Sequence, residues 1–540
     1  MKIILTSFFL FFLHITLFAQ VKFIERFEVP SNMYDPNFEI ARTDDGIVSF
    51  RTVPEKGLNF RRKLQFFLNN TDLDSTTLIE FPVKEGFDIL GYDVDKNFLY
   101  LLFQKGSSFN SEKYIFRIDL EDNLGIEFDA SNLLDMELIE YLVLEEKAIF
   151  LGSSDGNPVL QILNLKDKSV QTVQGIYNPD TQVLQLRKVP DLKEVEMVIS
   201  RKIQNRRREI LINTYDLEGN LMREVKVDQF GDQGQEILDG LLLPMNNYQQ
   251  AMIGSFGIDR RDEYQGMYIM DINEFGEYDF KMYTLEDFPN FYNYLEEKAK
   301  GKKDAEIQKA IEKDRDLTIN NIYAIRNVVT TEDSYYVYFD HFNIVNSRGS
   351  TRPGLYSPSS AYRYDRLTRM GYTPYFADPF YQSTLPNGST FQITTEFRYI
   401  SAHFAKVAKA GNVIWDNAST YDNMSTEYPE PFGEVAVVGD DLYHLFVEDL
   451  DIVASFFRNG EKVFENQHFE LELTEENERI RDTDMESLRL VHWYDRYFLL
   501  SGNQSVRYQD ASGKEQTREV FFISKILVDG DLYQPEETLD

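Results

Sequence analysis

One pattern recurs along the chain and constrains it more than any other feature. An alternating apolar strand leads into a short polar turn with Asp, Asn or Gly, and a second alternating strand follows. It reads KYIFRIDLEDNLGIEF from Lys113, ILINTYDLEGNLMREVKV from Ile210, GMYIMDINEFGEYDFKMY from Gly266, SAHFAKVAKAGNVIWD from Ser401 and FFISKILVDGDLY from Phe521. Side chains alternate between the two faces of a strand, so this period of two around a Gly-bearing turn specifies a β-hairpin. A further apolar pair precedes each hairpin, as in FDILGYDVDKNFLYLLFQ from Phe87 and ELIEYLVLEEKAIFLG from Glu137. The unit is therefore four antiparallel strands. Units begin near Phe38, Phe87, Met136, Thr181, Glu236, Asn321, Phe432 and Glu486, and the uninterrupted ones are about 45 to 55 residues apart.

Four-stranded units at this period bury their faces against one another, which is how propeller blades are built. On these repeats residues 21–540 resemble the β-propeller superfamily, at the level of the blade rather than of a particular family. The resemblance implies one all-β domain of eight four-stranded blades, with seven as the alternative if one unit is an insertion. A row of separate sandwiches would leave linkers rich in Pro, Gly or Ser, and none interrupts the steady period. VKFIERFEV from Val21 is expected to complete the last blade by pairing the two ends of the chain. Trp415-Asp416 resembles the dipeptide of WD repeats, and AKAGNVIWD the strand end of quinone-type propellers, but each occurs in one unit only.

Charge and address narrow the function. The 540 residues hold 56 Lys plus Arg against 90 Asp plus Glu, a formal charge of -34. Such a chain is repelled by nucleic-acid phosphates and anionic lipid surfaces. The absence of cysteine excludes disulfides, thiolate metal sites, a cysteine nucleophile and an acylated-cysteine lipid anchor. Residues 1–20, MKIILTSFFLFFLHITLFAQ, have one cation at Lys2, an apolar run and Ala19 before the expected cut, the pattern of a secretory signal peptide. Loss of Lys2 takes -34 to -35 in the mature chain. The expected product is periplasmic or extracellular, without a lipid anchor or an integral membrane segment.

Connection lengths point to a working face. Turns such as TDDG at Thr43, LEEK at Leu144 and RNG at Arg458 leave one end of the blades, and all are tight. At the other end the connections lengthen: RKIQNRRRE from Arg201, SFGIDRRDEYQG from Ser255, SGNQSVRYQDASGKEQTRE from Ser501, and two insertions. Long connections in a compact domain concentrate function. The first insertion, 284–320, reads as a short amphipathic helix pair interrupted near Gly301, with Ile307, Ala310 and Ile311 as its apolar set. The second, 343–397, is a long aromatic loop. Between Arg348 and Tyr381 its five arginines face two aspartates, a local charge of +3, and carry tyrosines among them. Arg352, Tyr356, Tyr362, Arg363, Tyr364, Arg366, Tyr372 and Tyr375 combine stacking faces with fixed donor forks, which suits a binding surface for a protein or glycan. The plain alternative is that the aromatics pin the loop.

No constellation in the sequence carries catalysis. GSSDG at Gly152 matches G-x-S-x-G, but Pro158 and the strand VLQILNL follow it where a nucleophile elbow needs a helix. His341, His403, His444, His468 and His492 lack the i, i+4 spacing of a metal site, although His341 and His403 are expected to face each other across adjacent strands. The acidic pairs Asp72/Asp74, Asp93/Asp95 and Asp482/Asp484 open no calcium-loop pattern. The run Arg201, Lys202, Arg206, Arg207, Arg208 reads as a solvated loop, with an acidic-partner contact as alternative. The sequence therefore points to an exported, non-catalytic binding or scaffold module without metal or cofactor, whose partner is a protein or glycan of the cell envelope. The competing expectation is an extracytoplasmic hydrolase or lyase acting on polysaccharide or peptide through carboxylates at the propeller channel.

Overall fold

The computed structural model describes residues 21–530 except 56–60, 75, 107, 179–180, 204–207, 228–229, 232–233, 247–248, 259–262, 320, 347–379, 385–389, 423, 427–431, 476 and 511. Its strands form eight antiparallel sheets at residues 39–83, 87–129, 137–172, 181–227, 236–284, 322–426, 434–470 and 479–528, numbered here as blades one to eight. The fold is an all-β propeller of eight blades. The chain divides into two compact units, one of residues 35–432 with blades one to six, the other of residues 21–34 and 433–530 with blades seven and eight.

Burial explains the departures from strict alternation. In blade two the second strand, Phe98–Lys105 (FLYLLFQK), has six consecutive buried residues, whereas the fourth, Gly125–Asp129, is almost entirely exposed. A strand covered on both faces selects a continuous apolar run, and an outer strand does not. The cores accordingly lie between successive blades. Tyr100, Leu102 and Ile115 of blade two pack with Tyr141, Val143 and Phe150 of blade three, and Leu184, Ile212 and Val225 of blade four with Met252, Phe256 and Tyr268 of blade five. Each fully buried side chain of this size contributes about 1.5–3 kcal/mol. A single ammonium reinforces three blades at once. Lys188 Nζ lies 2.6 Å from Asp93 Oδ2 and donates to the carbonyls of Val94 and Val143 at 2.6 and 3.3 Å.

The two ends of the described chain pair as expected. Val21–Pro30 lies antiparallel to Glu515–Val528, from Val21 opposite Val528 to Pro30 opposite Val520. Arg26 is sequestered there, with Nε 2.7 Å from Glu28 and Nη2 2.8 Å from Gln504. Glu28 also receives Arg518 Nε at 2.7 Å. Burial alone would raise the Glu28 carboxyl, but Arg518 and Arg26 outweigh it and hold the group below the usual carboxylate range.

Three expectations change in detail. The insertion at 284–320 holds one helix, Glu297–Ile311, which continues through Gly301. An exposed glycine weakens a helix by about 1 kcal/mol relative to alanine, too little to break it. Ile307, Ala310 and Ile311 form its half-buried side, and no residue of the helix is fully buried. Blade eight begins at Arg479 rather than near Glu486, because its first position is split between Arg479–Thr483 and Arg489–Tyr494. The connection from Ser501 is mostly sheet: Tyr497–Gln509 stays paired with Glu515–Val528 as far as Gln509 opposite Glu515.

Blade seven supplies a test of this packing. His444, in the strand Asp441–Glu448, is fully buried, and a Cβ on Gly433 would come within 2.2 Å of its Nε2. Burial pushes its pKa down to about 3, against about 6.5 in an unfolded chain. Between these values the unfolded chain binds a proton that the native state refuses, so this group's contribution is complete above pH ~6.5 and is lost as pH falls toward 3. We expect urea midpoints to show an extra loss of up to about 1.4 kcal/mol per pH unit in that window. His444→Leu should flatten that limb. Parallel pH profiles for the two proteins would contradict the assignment.

Candidate functional site

Blade six departs from the apolar pattern of its neighbours. Its strands Ile322–Thr330, Ser334–Asn346, Thr390–Ala408 and Val413–Thr420 bury Arg326, Asp340, His341, Ser401, His403, Asp416 and Asn417. Buried charges persist only where paired and hydrogen-bonded, and here they form two sets. In the first, Arg326 Nε lies 2.8 Å from Asp340 Oδ2, and the hydroxyls of Tyr338 and Tyr421 donate to Asp340 Oδ1 at 2.7 and 2.9 Å. The backbone N–H of Phe432 adds a longer bond of 3.4 Å.

The second set centres on His403. The Tyr323 hydroxyl is 2.5 Å from its Nδ1, and Asp416 Oδ2 is 3.4 Å from its Nε2. The N–H of Asn290 donates to both oxygens of Asp416, at 3.2 and 3.1 Å, and Asn293 Nδ2 reaches Asn417 Oδ1 at 3.0 Å. Phe288 and Phe291 close over the imidazole with ring centroids 5.1 and 4.8 Å away. These contacts fasten the start of the first insertion to blade six. Tyr323 and His403 are 0% exposed and Asp416 1%, so the Tyr-His-Asp line is sealed from any ligand. Burial raises the phenols of Tyr323, Tyr338 and Tyr421 well above 10, leaving them protonated donors at neutral pH.

Beside this floor, at the end of blade six where both insertions meet it, lies a cleft of about 620 Å³. Tyr294 and Leu295 come from the first insertion, Asn343 and Glu396 from the two ends of the second, which continue the strands Ser334–Asn346 and Thr390–Ala408, and Arg398 and Tyr421 complete the wall and floor. Arg398 grips Glu396 through two bonds of 3.1 and 3.0 Å. That grip, with a further bond from Ser425, holds the Glu396 carboxyl below its ordinary range. A second groove of about 1000 Å³ lies between blades five and six near the Thr330–Ser334 turn, and its carboxylates Asp271, Glu277, Asp279 and Glu332 face solvent.

The histidines and the rejected serine can be placed. Phe339 pairs with His403 and His341 with Ser401, so the two histidines are diagonal neighbours on adjacent strands. Their ring nitrogens are engaged within the blade, His341 Nδ1 with Ser401 Oγ at 3.4 Å. Ser154 ends the strand Lys147–Ser154 and pairs with Asn157 across a turn, a hairpin rather than an elbow. Arg201, in the basic run, is paired with the buried Glu209. Arg352, Tyr356, Tyr362, Arg363, Tyr364, Arg366, Tyr372 and Tyr375 all lie in 347–379, outside the described residues. Sequence reading missed Tyr294, Asn343, Arg398 and Tyr421. The available signal was their position at the boundaries of the two insertions.

No protein-family model and no curated protein matches the chain. Among solved structures it is similar to the β-propeller domain of the Trilobed protease from Pyrococcus furiosus, at 8% identity and a TM-score of 0.32, over 79% of this chain and 96% of that one. It is similar to the polysaccharide lyase Uly1 at 9% identity and a TM-score of 0.35, over 94% of this chain and 100% of the lyase. For one of two prolyl endopeptidases the values are 8% and 0.33, and the match takes in 90% of this chain but only 53% of the peptidase.

The first polar set yields a direct test. Asp340→Ala strands the Arg326 charge in the interior, and we expect a loss of about 3–5 kcal/mol in urea unfolding. Joint replacement of Arg326 and Asp340 by Leu should cost much less. A single variant within about 1 kcal/mol of the native protein would show that the pair is not sequestered in solution.

Proposed function

We propose that the protein is an exported binding module of the cell envelope that holds a protein or glycan partner at the cleft end of blade six and performs no chemistry on it. The observation that carries this reading is the cleft itself: concave, with both polar and apolar walls, and set on a floor cross-linked by buried hydrogen bonds. Ligand sites combine such concavity with a few convergent polar groups. Neighbouring titratable groups are engaged with one another, Asp340 with Arg326, His403 with Tyr323 and Asp416, and Glu396 with Arg398. This supports binding over a hydrolase or lyase. Arg352, Arg363, Arg366 and the tyrosines among them in the sequence of the second insertion are proposed to contribute to binding the same partner.

Export is part of the proposal and rests on residues 1–20. Among the described residues no helix is long and apolar enough to cross a membrane. Protein recovered from the extracytoplasmic fraction should begin near Gln20. Retention of the apolar run Ile3 to Phe18 would contradict export by cleavage.

Immobilised mature protein should capture a partner from solubilised envelope. The combined Tyr294→Ala and Arg398→Ala variant should lower that capture at least tenfold. Equal capture by both proteins would remove the cleft from the account.

A further inference from the structure

We infer that the occupant of the blade-six cleft is a short neutral oligosaccharide, an inference that rests on the binding reading above and gives it a ligand class. Charge is the first ground. The charged side chains lining the cleft, Glu396 and Arg398, are bonded to each other and sum to zero. A uronate or sulfate would meet an Arg398 already neutralised by Glu396, and it would approach a chain of formal charge -34. Anionic saccharides are therefore disfavoured both locally and at long range.

The second ground is the pattern of donors and acceptors. Among the described residues, the Tyr294 hydroxyl and the Asn343 side-chain amide have no hydrogen-bond partner, although both line the cleft. Each can donate and accept, and the Arg398–Glu396 pair sets donors beside acceptors on the facing strand. A sugar hydroxyl also donates and accepts, so this uncharged array matches a polyol. Leu295, Ile400 and Met424 supply apolar surface for the C–H face of a pyranose, and Tyr294 supplies an aromatic one.

The third ground is backbone pairing, which disfavours an extended peptide. The strand carrying Glu396 and Arg398 is already bonded on one side to Ser334–Asn346. On its other side Phe397 and Arg398 pair with Thr426 and Ser425. Among the described residues, Phe397 and Arg398 are thus paired on both sides and offer a peptide no edge to extend, so recognition there falls to side chains. Tyr421, tied to Asp340 and Tyr338, keeps the floor in place before a ligand arrives, which reduces the ordering cost of binding.

Calorimetric titration of the mature chain with cellobiose, maltose, mannobiose and xylobiose, alongside digalacturonate, tests this directly. We expect at least one neutral disaccharide to bind with an affinity indifferent to salt, and digalacturonate to bind at least tenfold more weakly. Tyr294→Ala and Asn343→Ala should each weaken the neutral ligand about tenfold. Arg398→Lys keeps the charge but loses the two-pronged grip on Glu396, and should give a smaller loss at unchanged melting temperature. Preference for digalacturonate, silence from all four neutral sugars, or binding unaffected by the cleft substitutions would overturn the inference. If envelope capture still depends on Tyr294 and Arg398 while every sugar is silent, the binding reading stands and the saccharide assignment falls.

Discussion

A four-stranded sheet with two apolar faces is stable only when both faces are covered, and the repeating architecture of this protein follows from that constraint. It explains why middle strands such as FLYLLFQ are apolar without alternation while fourth strands are exposed. It also explains why each core cluster is shared between successive blades. With no cysteine available, cohesion rests on this burial, supplemented by polar ties such as Lys188 across blades two to four. Pairing of the first described strand with the last occupies a strand edge of the final blade.

The same constraint made the fold legible in the sequence. Strands that must present apolar residues at fixed spacing announce their boundaries, and blades at 39, 87, 137, 181, 236 and 322 start within one residue of the pattern breaks. Blade eight begins earlier than its pattern because RIRDT carries one apolar residue, Ile480, and leaves no alternation to detect. The helix breaker inferred at Gly301 failed for an energetic reason: the flanking Lys, Glu and Ala residues favour a helix strongly enough to absorb one glycine.

The cleft was hidden for a different reason. Its residues run from Tyr294 to Met424 in sequence and meet only because an insertion before blade six folds back onto the end of that blade. No local spacing encodes such a meeting. Asp416 makes the point at the level of one residue. In sequence it belongs to a solitary Trp-Asp dipeptide, whereas in the fold it receives the Asn290 amide and faces His403, holding the insertion that carries Tyr294. The neighbouring histidines 341 and 403, and the contact of His341 with its cross-strand partner Ser401, follow from strand pairing, but the Asn290 and Phe291 contacts that fasten the insertion to Asp416 and His403 depend on packing that pairing alone does not specify.

Blade six thus exchanges part of its apolar core for a hydrogen-bonded one and gains a fixed platform under a cleft, the arrangement expected of a preorganised binding site. Amide hydrogen exchange of the mature protein, with and without solubilised envelope, tests this most directly. Slowed exchange should appear at residues 294–295, 396–400 and 420–424 when partner is present. Slowed exchange confined to the groove formed by 271–279 and 330–335, with the blade-six cleft unchanged, would contradict the account.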